Sequence, residues 1–307
     1  MKNIRCNFCQ SDKTKLLYEA RDRMIRKDDQ RKFYVRQCEN CGFAYLNPQP
    51  EWEELRYFYG EGYYMADDLP QNKQYSPFYN FLRKAKRAIF GAPNPKFWNF
   101  GGAKGKFLDI GCGNGAYESY VILNYPGWEF YGVEPSPSSF QIAKTISGFN
   151  VFNGNLEDAR YENNFFDAIL MNHSLEHLPD PSAALKECQR ILKPGGRLVI
   201  GVPNFNCPAR RFFGSCWIHL DAPRHLFHFS AGVLSGMLKK AGFNVVSARF
   251  EILSGSIIRS IAYRFNINKF FFERPLIMQA VHWLIFPLNK LIEFLRLGSG
   301  LRVIATK

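Results

Sequence analysis

The stretch from Lys106 to Glu134 has the residue types and the spacing of a site that binds a nucleoside cofactor. Gly111, Gly113 and Gly115 follow an apolar run, and glycines there let the backbone turn tightly where a side chain would clash with the ligand. Glu134 lies 23 residues beyond Gly111, where a second strand should end. A carboxylate at that point can accept the hydroxyl hydrogens of a ribose. The sequence therefore predicts a strand, a glycine turn, a crossover and a second strand around a nucleoside.

Asp109 distinguishes between two classes of cofactor. The spacing Gly111-x-Gly113-x-x-Ala116 also fits the fingerprint of dinucleotide-binding proteins, so the glycines alone do not decide. A carboxylate two residues before the first glycine would repel a pyrophosphate, whereas it suits the cationic sulfonium and amino groups of S-adenosylmethionine. The run from Phe107 to Gly115 resembles motif I of the class I S-adenosylmethionine-dependent methyltransferases, of the type 11 and type 23 kind.

This resemblance implies cofactor contacts at the ends of successive strands. Asp109 and the glycine turn would hold the methionine part, and Glu134 would hold the ribose. Relatives usually have an aspartate for the adenine amino group where Asn155 stands, so either Asn155, through its amide oxygen, or Glu157 would serve here. The predicted cofactor-binding residues are Asp109, Gly111, Gly113, Gly115, Glu134, Asn155, Leu156, Glu157 and Asn172.

Two histidine-rich segments follow the fourth and fifth predicted strands and supply candidates for acid–base chemistry. The segment 172–181 resembles the Glu-His-x-x-Asp-Pro motif of small-molecule and lipid-quinol methyltransferases, and 221–230 resembles a Pro-x-His-x-x-x-Phe-Ser stretch of the same group. A hydroxyl acceptor must lose a proton, which histidine can accept near neutral pH. The alternative for each histidine is a turn residue that binds local backbone. The predicted catalytic residues are His173, Glu176, His177 and His225.

Two Cys-x-x-Cys pairs near the N-terminus predict a structural zinc site. Each pair places two sulfurs on one side of a tight turn, and two such turns complete the tetrahedron that zinc prefers. One β-hairpin, with 32–36 as a strand, would fill the 28 residues between the pairs. A redox pair and incidental thiols are the alternatives. The predicted zinc ligands are Cys6, Cys9, Cys38 and Cys41.

The composition predicts a folded and basic protein. Among the 307 residues, 46% are apolar, which suits a packed core rather than global disorder. The net charge of +13 predicts attraction to phosphates of nucleic acid, anionic lipid or a nucleotide-linked substrate. The N-terminal residues lack the apolar core of a secretion signal, and eight cysteines do not make a disulfide scaffold of this length. We therefore expect a cytoplasmic protein, with peripheral contact at the inner face of the membrane as an option.

The order of predicted elements indicates an α/β fold with a doubly wound, Rossmann-like sheet of seven strands. Residues 1–50 would form a zinc-ribbon-like module, 51–105 a helical connector that covers the cofactor, and 106–307 the methyltransferase domain. By resemblance the last strand is antiparallel, which makes the apolar and basic segment 251–297 a helical insertion before it. That insertion is a candidate for contact with an anionic membrane, a lid or a packed cap. The predicted strands are Lys106–Gly111, Glu129–Glu134, Asn150–Asn155, Phe166–Met171, Arg197–Val202, Asn244–Phe250 and Leu301–Thr306, and the helices lie near 116–124, 136–147, 181–193 and 230–241.

Three functions are compatible with these features. The overall plan resembles proteins of cell-surface polysaccharide pathways, which implies methylation of a hydroxyl on a sugar or lipid-linked glycan precursor; C-methylation of a keto-sugar would need the same base. An RNA methyltransferase would use the zinc module and the connector to bind phosphates, since residues 81–106 contain seven Lys or Arg and no acid. The least expected function is a binding protein with an inactive methyltransferase fold.

Overall fold

A computed structural model describes residues 1–63, 104–253, 255–265, 295 and 297–307. The chain begins with a small antiparallel sheet of three strands, β1 (Thr14–Ala20), β2 (Phe33–Cys38) and β3 (Ala44–Leu46). Strands β1 and β2 pair along their whole lengths. The hairpin predicted between the two cysteine pairs is therefore confirmed, although β2 begins and ends slightly later than the predicted strand.

A sheet of seven strands forms the body of the protein. The remaining strands are β4 (Gly105–Ile110), β5 (Trp128–Glu134), β6 (Phe149–Asn153), β7 (Phe166–Asn172), β8 (Leu192–Pro203), β9 (Phe227–His228), β10 (Asn244–Glu251) and β11 (Gly300–Thr306). The large sheet has the order β10-β11-β8-β7-β4-β5-β6. Strands β4 to β8 run parallel, and β11 lies antiparallel between β10 and β8. The predicted doubly wound sheet and its antiparallel last strand are both confirmed.

The helices connect these strands in the predicted order. They are α1 (Trp52–Tyr63), α2 (Glu118–Val121), α3 (Pro137–Ala143), α4 (Pro181–Ile191), α5 (Pro208–Phe213), α6 (Ala231–Lys240) and α7 (Ser256–Phe265). Asp180 and Ser230 cap α4 and α6, because each side chain accepts a hydrogen bond from the third residue beyond it. These caps explain why both helices begin close to where the sequence predicts them.

Three helices differ from the prediction by more than one residue at an end. The helix expected over 116–124 is the single turn α2 followed by a 3₁₀ turn, because the chain tightens just before Pro126, which cannot continue a helix. The helix expected over 136–147 ends at Ala143. The helix expected to reach residue 193 ends at Ile191, and the Pro194-Gly195-Gly196 run lies in β8 instead of forming the stop.

Alternate residues of β4 point to opposite faces of the sheet, and both faces are buried. Leu108 and Ile110 belong to the larger apolar core, whereas Phe107 packs with Phe130 in the smaller core on the other face. This two-sided burial is typical of a parallel strand. Asp109 alternates with Leu108 and Ile110 and therefore lies on the same face as Phe107, next to the end of the strand.

Strand β9 connects the N-terminal sheet to the segment that carries His225. It pairs with β3, and Ala44 lies opposite His228. Phe43 stacks on Phe227 with ring centroids 5.5 Å apart, and both side chains are fully buried. The N-terminal sheet thus contains four strands, of which the fourth comes from far along the chain.

Several predicted features lie outside the described residues. They include most of the connector 51–105 and most of the insertion 251–297. Within the described ranges, none of the helices has the length and apolar character needed to cross a bilayer. The expected contact of 251–297 with an anionic membrane stays a prediction.

Candidate active site

The glycine turn lies between β4 and α2 at the carboxyl edge of the large sheet. Gly111, Gly113 and Gly115 have φ angles of 80°, 57° and 72°, which glycine adopts without strain. A side chain at Gly111 would also lack room, since its Cβ would lie 2.7 Å from Cβ of Ser174. The turn is therefore in close contact with the segment that follows β7 and carries His173.

Glu134 ends β5 beside this turn, and two backbone groups fix its carboxylate. The Gly113 N–H donates to Oε2 at 2.8 Å, and the Ser136 N–H donates to Oε1 at 2.7 Å. Burial raises the pKa of Glu134, although both hydrogen bonds oppose the shift. Each oxygen of a carboxylate has two lone pairs. Glu134 therefore keeps acceptor capacity for the ribose hydroxyls that the sequence predicts there.

Asp109 lies at the same edge of the sheet. A second acid, Glu118, which was not predicted from the sequence, lies beside it. Asp109 is 5% exposed, its Oδ1 has no hydrogen-bond donor among the described residues, and burial raises its pKa to about 6. Glu118, at the start of α2, is fully buried, and its carboxyl group interacts with that of Asp109. An acid at a core-facing position of the crossover helix is the signal that could have identified it.

The residues predicted around the adenine follow β6 and β7. Asn155 and Glu157 are exposed, whereas Leu156 is buried with 4% of its surface exposed. The side-chain amide of Asn155 donates to a carboxylate oxygen of Asp158 at 3.1 Å. Asn172 is the last residue of β7 and is exposed. All four predicted residues therefore lie at the edge where the glycine turn and Glu134 also lie.

His173 follows β7 and is paired with a buried carboxylate. Its Nδ1 lies 3.2 Å from Oε1 of Glu176; the His173 side chain is 37% exposed and that of Glu176 only 1%. Burial lowers the pKa of His173, but the hydrogen bond and charge of Glu176 outweigh this effect and raise it. Because a carboxylate only accepts, Nδ1 carries the hydrogen and Nε2 is the basic nitrogen. The backbone φ of His173 is 55°, a conformation that is rare outside glycine and concentrates at functional sites.

His177 and His225 lie deeper in the same site, with ring centroids 4.6 Å apart. Nδ1 of His177 is 3.1 Å from the carbonyl oxygen of Arg224, and Nδ1 of His225 is 2.9 Å from that of His219. Burial lowers the pKa of His177 to about 4. Donor atoms of both rings and of the Glu176 carboxylate lie within 4.8 Å of one another. The structure therefore brings all four predicted catalytic residues together, with His173 nearest to solvent.

Arg224 forms a buried ionic network that no sequence motif indicates. Its guanidinium donates to both carboxylate oxygens of Asp22, at 2.8 and 3.0 Å, and to Asp221 and the carbonyl oxygen of Phe58. Neither the Arg224 nor the Asp22 side chain is exposed. Arg224 thus ties the loop before His225 to the N-terminal unit through Asp22 and to α1 through Phe58.

The four N-terminal cysteines converge as predicted. Sγ of Cys6 lies 3.5 Å from that of Cys41, Sγ of Cys9 lies 3.5 Å from that of Cys38, and all four sulfurs lie within 4.8 Å of one another. Zinc–sulfur bonds of about 2.3 Å give a tetrahedron whose sulfurs are about 3.8 Å apart. Both the donor chemistry and these spacings fit a zinc ion.

Comparison with known proteins agrees with this geometry. The profile of the family described as "Methyltransferase domain" matches residues 81–248. A ubiquinone biosynthesis O-methyltransferase from Cereibacter sphaeroides is 27% identical over 178 residues, 53% of this chain and 68% of that protein. A demethylmenaquinone methyltransferase from Staphylococcus aureus is 29% identical over 150 residues, 44% and 62% of the respective chains.

A solved chain from the Haloferax volcanii complex that contains the Trm112 methyltransferase activator has the same fold. The TM-score is 0.50 at 16% sequence identity, with 76% of this chain and 99% of that chain covered. The family profile covers more than half of the 307 residues. The chain therefore belongs to the methyltransferase-domain family, and it is an S-adenosylmethionine-dependent methyltransferase.

Proposed function

We propose that this enzyme methylates a hydroxyl group of a small molecule and that His173 is the general base. The observation that carries the proposal is the pair formed by His173 and the buried carboxylate of Glu176, at 3.2 Å. The segment that carries this pair touches the glycine turn at Gly111. A proton acceptor and the predicted methionine site are thus adjacent at one edge of the sheet.

When bound, S-adenosylmethionine supplies an activated methyl group on a cationic sulfur. The predicted contacts at Asp109, the glycine turn and Glu134 hold it in position. The cofactor would supply this methyl group to the acceptor oxygen, and the electron pair of the broken carbon–sulfur bond would stay on sulfur. Nε2 of His173 takes the hydroxyl proton, and Glu176 stabilises the imidazolium that forms.

The acceptor that we favour is a sugar or a lipid-linked glycan precursor. A quinol hydroxyl is the second candidate, because a relative of the matched region is named a ubiquinone biosynthesis O-methyltransferase. Both acceptors present a hydroxyl that a base must deprotonate, so both use the same side chains here. RNA would instead use the basic segment 81–106, of which only Lys104 and its two successors are described.

Labelled methyl transfer into a host-cell extract separates these acceptors. S-adenosylmethionine that carries a labelled methyl group is incubated with purified enzyme and extract, which is then divided into sugar, lipid, RNA and protein fractions. Label in sugar or glycolipid supports the favoured acceptor, and label in the quinol-containing neutral lipid supports the second. Label confined to RNA or protein contradicts a small-molecule acceptor.

We further propose that Cys6, Cys9, Cys38 and Cys41 bind one structural zinc ion. The ion would hold both ends of the β1–β2 hairpin, and β3 follows the second pair immediately. Purified protein is expected to contain about one zinc per chain by elemental mass spectrometry. Cys38→Ser should lose the metal and unfold more easily, whereas Cys216→Ser, which lies outside the cluster, should retain it. Wild-type protein without zinc would contradict this proposal.

A further inference from the structure

Glu118 is a buried acid that the proposed mechanism does not use. Its side chain is 0% exposed, and apart from the Asp109 carboxyl no described group lies within hydrogen-bond distance of either of its oxygens. Burial of an ionisable group without a partner is costly. A carboxyl group in such surroundings indicates a cationic partner that the described residues do not supply.

The surroundings of Glu118 identify where that partner would bind. Glu118 lies directly beyond the glycine turn, where the N–H of Ser119 donates to the carbonyl oxygen of Gly115 at 2.9 Å, and its carboxyl group interacts with that of Asp109. Asp109 lies on β4, and Glu134 ends the neighbouring strand β5. The three acids thus lie at the same edge of the sheet. Of the three, Glu134 alone has its carboxylate fixed by backbone N–H groups, through Gly113 and Ser136. Apart from each other's carboxyl group, the other two acids have no described donor at Oδ1 of Asp109 or at either oxygen of Glu118.

We propose that Glu118, together with Asp109, binds the amino group of the methionyl part of S-adenosylmethionine. The ammonium group carries three donors and a positive charge, which match the unpartnered oxygens of the two acids. With the ribose at Glu134, the amino acid part of the cofactor would extend past Asp109 toward the start of α2. This inference rests on the cofactor position proposed above and adds Glu118 as a cofactor-binding residue.

Two effects of opposite sign are expected from substitution of Glu118. Glu118→Leu removes a buried acid whose neighbour is a second acid, so the melting temperature of the ligand-free protein should rise. Glu118→Gln keeps the shape but removes the charge, so the affinity for S-adenosylhomocysteine, which retains the amino group, should fall about 10- to 100-fold. A carboxyl group that merely stabilises the fold would give a lower melting temperature in the Leu variant.

The test is calorimetric titration of wild-type protein, Glu118→Gln and the control Glu129→Gln with two ligands. Glu129 lies on β5, and its side chain is 58% exposed. S-adenosylhomocysteine contains the amino acid part, whereas methylthioadenosine lacks it. The affinity of Glu118→Gln should fall for S-adenosylhomocysteine and stay nearly unchanged for methylthioadenosine.

Equal weakening for both ligands, or no weakening for either, would overturn the assignment of Glu118 while leaving the cofactor site in place. The same outcomes are expected if a cationic side chain of this protein already binds Asp109 and Glu118. Failure of wild-type protein to bind S-adenosylhomocysteine would overturn the proposed cofactor site, and the assignment of Glu118 with it. Glu129→Gln should match wild type in every titration.

Discussion

Replacing Asp22 by alanine is expected to lower the free energy of unfolding by about 3–5 kcal/mol, the range for removal of one partner from a buried ion pair. The change leaves the guanidinium of Arg224 without two of its acceptors in a site with no solvent exposure. It also removes the acceptor of three backbone N–H groups, those of Met24, Ile25 and Arg26. Asp221 continues to neutralise Arg224, but all these donors lose their acceptor. Urea unfolding followed by fluorescence would measure the loss.

A matched control for this substitution lies three residues earlier in the same unit. Glu19 pairs with Lys32 across the β1–β2 hairpin at 3.0 Å, and both side chains are more than 40% exposed. Glu19→Ala should change the free energy of unfolding by at most about 1 kcal/mol. A loss in Asp22→Ala no larger than in Glu19→Ala would show that the buried network does not hold the N-terminal unit to the loop before His225.

Replacing His173 by alanine is expected to reduce the rate of methyl transfer by about 10²- to 10⁴-fold, the usual contribution of a general base. Alanine removes the proton acceptor and adds no bulk. The backbone of position 173 has a positive φ with histidine in place, and alanine carries the same Cβ there. The rate would be measured with the fraction of extract that accepts the labelled methyl group. Affinity for S-adenosylhomocysteine should stay close to that of wild type, because His173 acts on the acceptor.

His228 provides the matched control for this loss. Its ring is buried and stacked on Phe205 with centroids 5.2 Å apart, so it does not take part in the pair formed by His173 and Glu176. His228→Gln should reduce the rate far less than His173→Ala. If the two variants lose activity equally, His173 is not the base, and His177 or His225 becomes the candidate.

The features that could be predicted from the sequence are those that depend on a few neighbouring residues. They are the glycines at 111, 113 and 115, the caps at Asp180 and Ser230, and the two cysteine pairs. The doubly wound sheet of seven strands and its antiparallel last strand followed from the alternation of strands and helices together with the family resemblance. Strand β9 could not be predicted, because two residues carry no periodicity and their partner β3 lies about 180 positions earlier.

Side-chain roles were harder to predict than the elements that carry them. The sequence predicts His173, His177 and His225 at one edge of the sheet but does not rank them as candidate bases. Their rank depends on which atoms face each ring. In the structure Nδ1 of His173 pairs with Glu176, whereas Nδ1 of each of the other two rings lies next to a backbone carbonyl oxygen and Nε2 of His225 is 3.8 Å from Asp221. The ion pair between Asp22 and Arg224 could not be predicted either, because the two residues are 202 positions apart.

The pH dependence of methyl transfer in wild-type enzyme and in Glu176→Gln tests whether His173 and Glu176 form the catalytic pair. Glu176 raises the pKa of His173, and a general base works in its deprotonated form, so the wild-type rate should rise as the pH passes that pKa. Without the carboxylate charge the pKa of His173 falls. We therefore expect the rise to move to lower pH in Glu176→Gln while the maximal rate decreases. A rise that stays at the same pH in both proteins would contradict the assignment of His173 and Glu176 as the catalytic pair.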